Sequence, residues 1–323
     1  MIANSGEYRK KNGQRGYVMM NNFIFENKTK VYFGKGGVKE YLGGLLANFG
    51  ETVMLAYGGG SIKCNGVYDE IMGILNAQGK CVVEFSGIMS NPTYAKVQEG
   101  AKLARENHVD LILAAGGGSV SDCCKVISGA FDTLSHAMET YFSKPDENNL
   151  SDDINEAVMR SVIRNIRILL TDPENYDARS EPAQASAMAE NGVLKIGKVT
   201  DFQAHQIQHQ LGAYTDCNHG AGLAVIHPVL YRHIYKSGTA RFTRWAQNVW
   251  GIAPKGSDEE TAAAGIDALA AFIKEIGLPT SFAELGIPAD TDFRAVADST
   301  NITAGCCKKL THDEIYEILQ ECL

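Results

Sequence analysis

The sequence lacks three features that would each define a class of protein. No apolar stretch is long enough to span a bilayer, and no signal-peptide pattern opens the chain. Lys and Arg (30) are outnumbered by Asp and Glu (38), so the net charge of −8 argues against nucleic acid or an anionic membrane as a main partner. The eight cysteines form no Cys-x-x-Cys pair. We therefore expect free thiols and a cytoplasmic protein.

The chain is long enough, at 323 residues with 45% hydrophobic content, to build two domains around large cores. Residues 1–19 are polar and basic, which predicts a disordered leader. Residues 20–128 alternate short apolar runs with helical periodicity, and we predict an α/β dinucleotide-binding domain there. Strand signals nearly vanish in residues 129–323, which predicts an all-helical domain.

Apolar runs predict four strands, at residues 30–33, 52–57, 81–85 and 111–115. Helical spacing predicts helices at 67–77, 94–106, 130–142, 153–170, 183–195, 202–214 and 259–276. A proline at position 182 is acceptable only near a helix start. Strands that are apolar on both faces and separated by helices predict a parallel sheet with crossover helices.

Two glycine-rich turns, Gly58-Gly59-Gly60 and Gly116-Gly117-Gly118, each follow an apolar strand and precede a helix. Backbone N–H groups at such a position can bind a phosphate. Neither turn matches the Gly-x-Gly-x-x-Gly fingerprint. A single turn of this kind binds no ligand about as often as it binds one. Two such turns at the ends of parallel strands favour a ligand that both turns share.

A second set of residues has the composition of a metal site. Asp132 and His136 are four residues apart, as are His205 and His209, and His219 follows ten residues later. Residues four apart lie on one face of a helix. A single histidine is more often an ordinary core or surface residue, but a carboxylate with several imidazoles suits a divalent transition metal. The metalloprotease motif His-Glu-x-x-His is excluded, because His205 is followed by Gln206 and not by a glutamate.

These motifs resemble one family. Residues 116–125, with the spacing Gly-Gly-Gly-Ser-x-x-Asp-x-x-Lys, resemble the signature of iron-containing alcohol dehydrogenases, and the Asp-x3-His and His-x3-His-x9-His patterns are similar to the metal-site pattern of that family. The likeness to the NADPH-dependent butanol dehydrogenase branch includes residues 57–63 and 91–94 and runs from about Met20 to the C-terminus.

The resemblance implies an enzyme that transfers hydride between NADP(H), preferred over NAD(H), and a small primary alcohol or aldehyde such as butanol or butanal. It also implies one divalent metal, iron(II) or zinc, and a homodimer. The implied metal ligands are Asp132, His136, His205 and His219. The implied catalytic residues are His209, as a proton relay, and Asp122, toward the reacting end of the cofactor. The implied cofactor-binding residues are Gly58, Gly59, Ser61, Gly117, Gly118, Ser119 and Asp122.

The choice of NADP(H) depends on the first turn. An acidic residue there would hydrogen-bond a free ribose 2′-hydroxyl and repel a 2′-phosphate, whereas this chain has glycine, Ser61 and the nearby Lys63.

The sequence departs from the family at residues 128–129, where the helix after the second glycine turn runs almost directly into the metal-site aspartate. The family has several tens of residues there, including further strands and one wall of the nicotinamide pocket. A break in the chain at this junction would favour an active enzyme. A continuous peptide would favour a metal-binding, catalytically impaired relative. A relative of zinc-dependent glycerol dehydrogenase or dehydroquinate synthase shares the architecture but fits the ligand spacing less well.

Overall fold

A parallel three-stranded sheet forms the first part of the protein. The computed structural model describes residues 24–27, 30–32, 34–88, 94–116, 123–144, 148–303 and 307–323, without the side chains of residues 61, 94 and 123–128. Its strands are β1 (Thr52–Tyr57), β2 (Cys81–Phe85) and β3 (Leu111–Ala115). Their order is β2-β1-β3, so the connection reverses direction between β1 and β3. Ligands of open α/β sheets bind at such a switch point, outside the carboxyl ends of the strands.

Helices cover both faces of this sheet. They are α1 (Gly37–Leu46), the single turn α2 (Ser61–Cys64), α3 (Val67–Ala77) and α4 (Tyr94–Glu106). Alternate residues of a strand point to opposite faces. Accordingly, Val53 and Leu55 pack in the core with residues of α1 and α3, whereas Met54 and Ala56 pack in a second core with Phe85 and residues of α4. The parallel sheet with crossover helices is confirmed.

The second part is helical. Its helices are α5 (Cys123–Tyr141), α6 (Leu150–Thr171), α7 (Tyr176–Glu190), α8 (Gln203–Thr215), α9 (His219–Ile234), α10 (Thr239–Asn248), α11 (Asp258–Glu275), α12 (Phe293–Ser299) and α13 (His312–Glu321). Short 3₁₀ turns lie at Val193–Lys195 and Tyr235–Gly238. One continuous core holds these helices together, with Phe131, Trp245 and Phe282 fully buried in it. Among the described helices, none combines the length and apolarity needed to cross a bilayer.

A buried ion cluster joins α6 to α10. Asp152 is fully buried, and its Oδ1 accepts a hydrogen bond of 2.5 Å from Arg241 and another from Lys198. The Arg241 guanidinium lies 4.4 Å from the ring centre of Tyr141 and donates to the backbone oxygen of that residue. Because both cations satisfy one carboxylate, the burial of these charges is compensated.

Two local expectations need correction. The strand expected at 30–33 is not formed at 30–32, where Val31 and Tyr32 are exposed, and Phe33 lies outside the described residues. Pro182 is the seventh residue of α7 and is not near its start. The helix α5 passes without interruption through residues 128–129, and the domain boundary expected there stays a prediction.

Candidate metal centre

Three helices bring four ligand-type side chains together. α5 presents Asp132 and His136 on one face, α8 presents His205 in its first turn, and α9 begins with His219. Oδ1 of Asp132 lies 3.3 Å from Nε2 of His205, 3.4 Å from Nε2 of His219 and 3.7 Å from Nε2 of His136. Nε2 of His136 lies 3.1 Å from Nε2 of His205. Ligand-type atoms of residues up to 87 positions apart in sequence therefore lie close together.

These separations fit one small divalent ion. In a tetrahedral site with metal–ligand bonds of about 2.0–2.1 Å, neighbouring ligand atoms lie roughly 3.3 Å apart. The four distances range from 3.1 to 3.7 Å. The most compact group is Asp132, His205 and His219, whose ligand atoms all lie within 4.8 Å of one another. These three atoms can hold a single ion. Nε2 of His136 lies close to Asp132 and His205 but is not part of the compact group.

The outward-facing nitrogens of the imidazoles also have oxygen neighbours. Nδ1 of His205 contacts Oε2 of Glu139, and Nδ1 of His219 contacts Oε1 of Gln208. Oε1 of Glu190 lies 2.9 Å from Nδ1 of His136, but the contact is not aligned as a hydrogen bond. An acceptor at Nδ1 places the proton there and leaves the Nε2 lone pair for a cation. The chemistry of this donor set therefore fits a metal.

Glu139 has a second role that sequence inspection missed. No side chain caps α8 at Phe202; instead the Glu139 carboxylate accepts hydrogen bonds from the backbone N–H groups of Ala204 (2.6 Å) and His205 (3.3 Å). An acidic group at a helix start satisfies unpaired donors and interacts favourably with the helix dipole. The signal was present, because positions 132, 136 and 139 lie on one helix face.

Electrostatics show how strongly these groups interact without a cation. Burial raises the pKa of Asp132, but hydrogen bonds from His205 and His219 outweigh it and hold that pKa well below its ordinary value. Burial lowers the pKa of His205, but hydrogen bonds to Asp132 and Glu139 raise it to about 9. Burial, with the charge of His205, lowers the pKa of His136 to about 4. A proton on His205 thus supplies positive charge at the point that the ligand atoms face.

His209 lies beside this cluster without joining it. Its ring stacks on that of His219, with ring centres 5.3 Å apart and an interplanar angle of 21°. The side chain is exposed, and its Nδ1 and Nε2 are not among the atoms that converge. Burial of part of the ring, and then the charges of His219 and His205, lower its pKa.

A buried serine–histidine pair lies directly behind the cluster. Nε2 of His227 on α9 lies 2.6 Å from Oγ of Ser135 on α5, and both side chains are fully buried. Sequence inspection assigned His227 no role. Because this contact joins the helices that carry three of the four ligand-type residues, it fixes their relative position.

The first glycine turn lies at the carboxyl edge of the sheet. Tyr57 pairs with Ala115, so the residues that follow β1 and β3 leave the sheet side by side. A Cβ added to Gly59 or Gly60 would meet nothing within 4 Å, and Gly60 has a φ of +107°, which favours glycine. The surface is thus open to a ligand that approaches the backbone. Gly117, Gly118, Ser119 and Asp122 lie outside the described residues, as does the side chain of Ser61.

Comparison with known proteins agrees with this organisation. The chain combines an α/β half with a helical half that brings an aspartate and three histidines together. The sequence profile "Iron-containing alcohol dehydrogenase" matches residues 28–157, and "Fe-containing alcohol dehydrogenase family, C-terminal" matches residues 126–323. The chain belongs to the iron-containing alcohol dehydrogenase family and is an NAD(P)-dependent alcohol dehydrogenase of the iron type. The resemblance, the α/β-plus-helical fold and the enzyme class predicted from sequence are confirmed.

Individual relatives cover nearly the whole chain. The chain is 28% identical over 389 residues to NADH-dependent butanol dehydrogenase A of Clostridium acetobutylicum, with 94% of this chain and 100% of the relative covered. It is 27% identical to the NADPH-dependent aldehyde reductase YqhD of Escherichia coli, with 83% and 90% covered. The crystal structure of NADH-dependent butanol dehydrogenase A from Thermotoga maritima superimposes with a TM-score of 0.86 at 25% identity and covers 94% of this chain and 99% of that chain.

The alignment with the Clostridium acetobutylicum relative also shows how many residues this chain lacks. Because 94% of 323 residues is about 304, roughly 85 of the 389 aligned positions have no residue in this chain. This number of missing positions agrees with the internal deletion that the sequence indicated after Ser128.

Proposed function

We propose that the protein interconverts a small primary alcohol and its aldehyde, such as butanol and butanal, by hydride transfer with NADP(H). The observation that carries this proposal is the convergence of Oδ1 of Asp132 with Nε2 of His205 (3.3 Å) and Nε2 of His219 (3.4 Å), beside which Nε2 of His136 lies 3.1 Å from Nε2 of His205. Relatives named as butanol dehydrogenase and aldehyde reductase support the substrate class.

The proposed metal ligands are Oδ1 of Asp132 and Nε2 of His136, His205 and His219. A divalent ion held there, iron(II) or zinc, supplies a Lewis acid that polarises the substrate oxygen. Glu139 and Gln208 orient two of the rings by accepting their Nδ1 protons. The partial exposure of Asp132 and His219 leaves one side of the site open to substrate.

His209 is the proposed proton relay. Its ring is exposed, stacks on His219 and has a lowered pKa because of burial and the neighbouring histidine charges. It is therefore neutral near pH 7 and able to accept a proton from the alcohol side of the reaction. Asp122, proposed from the resemblance for the reacting end of the cofactor, is the second catalytic candidate.

The proposed cofactor site comprises the two glycine turns, with Gly58, Gly59 and Ser61 in the first and Gly117, Gly118 and Ser119 in the second. The open surface above Gly59 and Gly60 fits a ligand that approaches the backbone closely. Relatives named for NADH and for NADPH both exist, so the preference for NADP(H) depends on the residues around the first turn. A clearly lower KM for NADH than for NADPH would contradict it.

We also propose that the protein is a homodimer, as the family resemblance implies. We propose that it is cytoplasmic, because its composition suits an intracellular enzyme without disulfides. Light scattering of the purified protein tests the dimer.

The decisive experiment is NADPH oxidation with butanal by protein reloaded with iron(II) or zinc, beside a metal-free control. Turnover that depends on the metal supports the dehydrogenase. Bound metal without turnover supports a second candidate, a metal-binding relative with an impaired cofactor site. The specific observation in favour of that candidate is the uninterrupted α5 with about 85 aligned positions missing.

A further inference from the structure

The two edges of the three-stranded sheet differ in chemistry. β2 forms one edge and carries the exposed, charged Glu84. β3 forms the other edge with the sequence Leu-Ile-Leu-Ala-Ala, which holds no charged residue and no proline. Among the described residues, no strand pairs with the outer side of β3. Natural proteins commonly protect a strand edge with a charge or a proline, and β3 has neither.

One face of β3 is also exposed. Ile112 has 60% of its surface exposed, and Ala114 is exposed on the same face. These two residues pair in register with Met54 and Ala56 of β1, which are buried in the core that contains residues of α4. The helix α4 thus covers this face over β1 and leaves it exposed over β3. An apolar strand that is open at its edge and on one face is a surface for association.

The hydrogen bonds with β1 show which backbone groups of β3 face outward. The N–H of Asp110 donates to the oxygen of Thr52 at 2.9 Å, so it points toward β1. Because the backbone groups of successive strand residues point to alternate sides, the even-numbered residues of β3 also point toward β1. The odd-numbered residues, Leu111, Leu113 and Ala115, therefore direct their N–H and carbonyl groups toward the open edge.

This edge is complementary to a second copy of itself. Two identical strands related by a two-fold axis pair antiparallel, and an axis through Leu113 places each outward-facing residue opposite another. Each such pair exchanges two hydrogen bonds. Large side chains then lie opposite small ones, because Leu111 faces Ala115 and Ile112 faces Ala114. The pairing extends the sheet and brings no like charges together, since β3 has none.

We propose that the outer edge of β3 is an interface between two copies of this chain, joined by antiparallel pairing about Leu113. The inference goes beyond the proposed homodimer because it locates an interface, and it does not depend on turnover. Two five-residue strands bury less surface than the roughly 1,200–2,000 Å² of a stable complex, so we expect the dimer to dissociate at about micromolar concentrations.

Sedimentation equilibrium of the full chain measures the dissociation constant, with a reductant present because Cys64 and Cys81 are exposed thiols. Ile112→Lys should raise this constant at least about tenfold, because each dimer loses two apolar contacts and gains two like charges placed diagonally across the interface. Ile112→Glu should weaken association in the same way. An equimolar mixture of the two variants should recover association, because lysine and glutamate then lie diagonally opposite.

The matched control is Val199→Lys, which places the same charge at an apolar side chain of similar exposure, 54%, in the helical part. It should leave the dissociation constant unchanged. An equal weakening by Val199→Lys and Ile112→Lys would overturn the inference, as would a mixture of the two Ile112 variants that does not associate.

Other occupants of the edge are separate outcomes. A wild-type chain that stays monomeric would overturn the inference, whether residues 1–19 or water cover the edge. A dimer that persists in Ile112→Lys would support the proposed homodimer at another surface and overturn the interface at β3. Association through β3 by a metal-loaded chain without turnover of butanal would support the inference and reject the proposed activity.

Discussion

Replacing Glu139 with glutamine should weaken metal binding although Glu139 does not itself face the metal. The carboxylate receives the Nδ1 proton of His205 and two backbone N–H groups at the start of α8. The glutamine side chain has nearly the same size but a single acceptor oxygen and no charge. It can satisfy the helix start or the imidazole, but not both, so the His205 ring loses its fixed tautomer or its orientation.

The expected magnitude follows from the role of such partners in other metal sites. Loss of an outer hydrogen-bond partner of a ligating histidine typically lowers metal affinity by about 10–100-fold. At about 1.4 kcal/mol per tenfold, this is roughly 1.4–2.8 kcal/mol. Glu139→Ala should cost more in stability, because α8 also loses the group that caps it, an effect of about 0.5–2 kcal/mol.

Competition with a chromophoric chelator measures the zinc affinity of wild type and variant directly. Glu156→Gln is the matched control, since Glu156 is also a buried glutamate but binds Tyr141 and Arg244 at a distance from the ligand cluster. It should lower stability and leave metal affinity unchanged. Wild-type zinc affinity in Glu139→Gln, or an equal loss in both variants, would refute the proposed link between Glu139 and the metal.

Three further outcomes are expected. His209→Ala should lower turnover but retain one bound metal, as measured by atomic absorption; a loss of metal would instead identify His209 as a ligand. Removal of the metal with a chelator should lower the thermal midpoint, and added zinc should restore it, because a ligand that binds only the folded chain stabilises it. Arg241→Met should lower the free energy of unfolding by about 3 kcal/mol, as it removes one of two cations paired with the buried Asp152. The control Arg232→Met, at the exposed pair with Asp267, should change it by less than about 1 kcal/mol in chemical denaturation.

The hydrophobic pattern of the sequence predicted most of the helices and strands around the site, and its failures have physical causes. β1, β2 and β3 were predicted at their observed bounds because buried parallel strands are continuous apolar runs. The helix α9 was not predicted, since it is buried on nearly every face and has no polar stripe to show its period. The strand expected at 30–33 shows the reverse error, because an apolar run does not form a strand without a partner, and none pairs with residues 30–32 among the described residues.

The candidate ligands were accessible from sequence because each has a chemically distinctive side chain at helical spacing. The residues that contact and orient these candidate ligands were harder to predict. Glu139 was visible in principle, three residues beyond His136 on the same helix, but its contact with His205 joins positions 66 apart. Gln208 lies between the two histidines of α8 and reads as an ordinary polar residue until His219 is folded against it. The partner of a ligand is set by tertiary packing, which no local pattern contains.

The position of the apparent deletion predicts that metal binding and hydride transfer can be separated in this chain. All four candidate ligands follow residue 128, and their helices pack in one core that contains no residue of the sheet. The first glycine turn precedes this position and depends on the contacts of β1 with β2. Both ends of the proposed cofactor and substrate path are therefore built by intact units. The stretch that the resemblance implies is missing lies between them, so metal affinity and adenosine-nucleotide affinity should each approach those of a full-length relative, and any loss should fall on turnover.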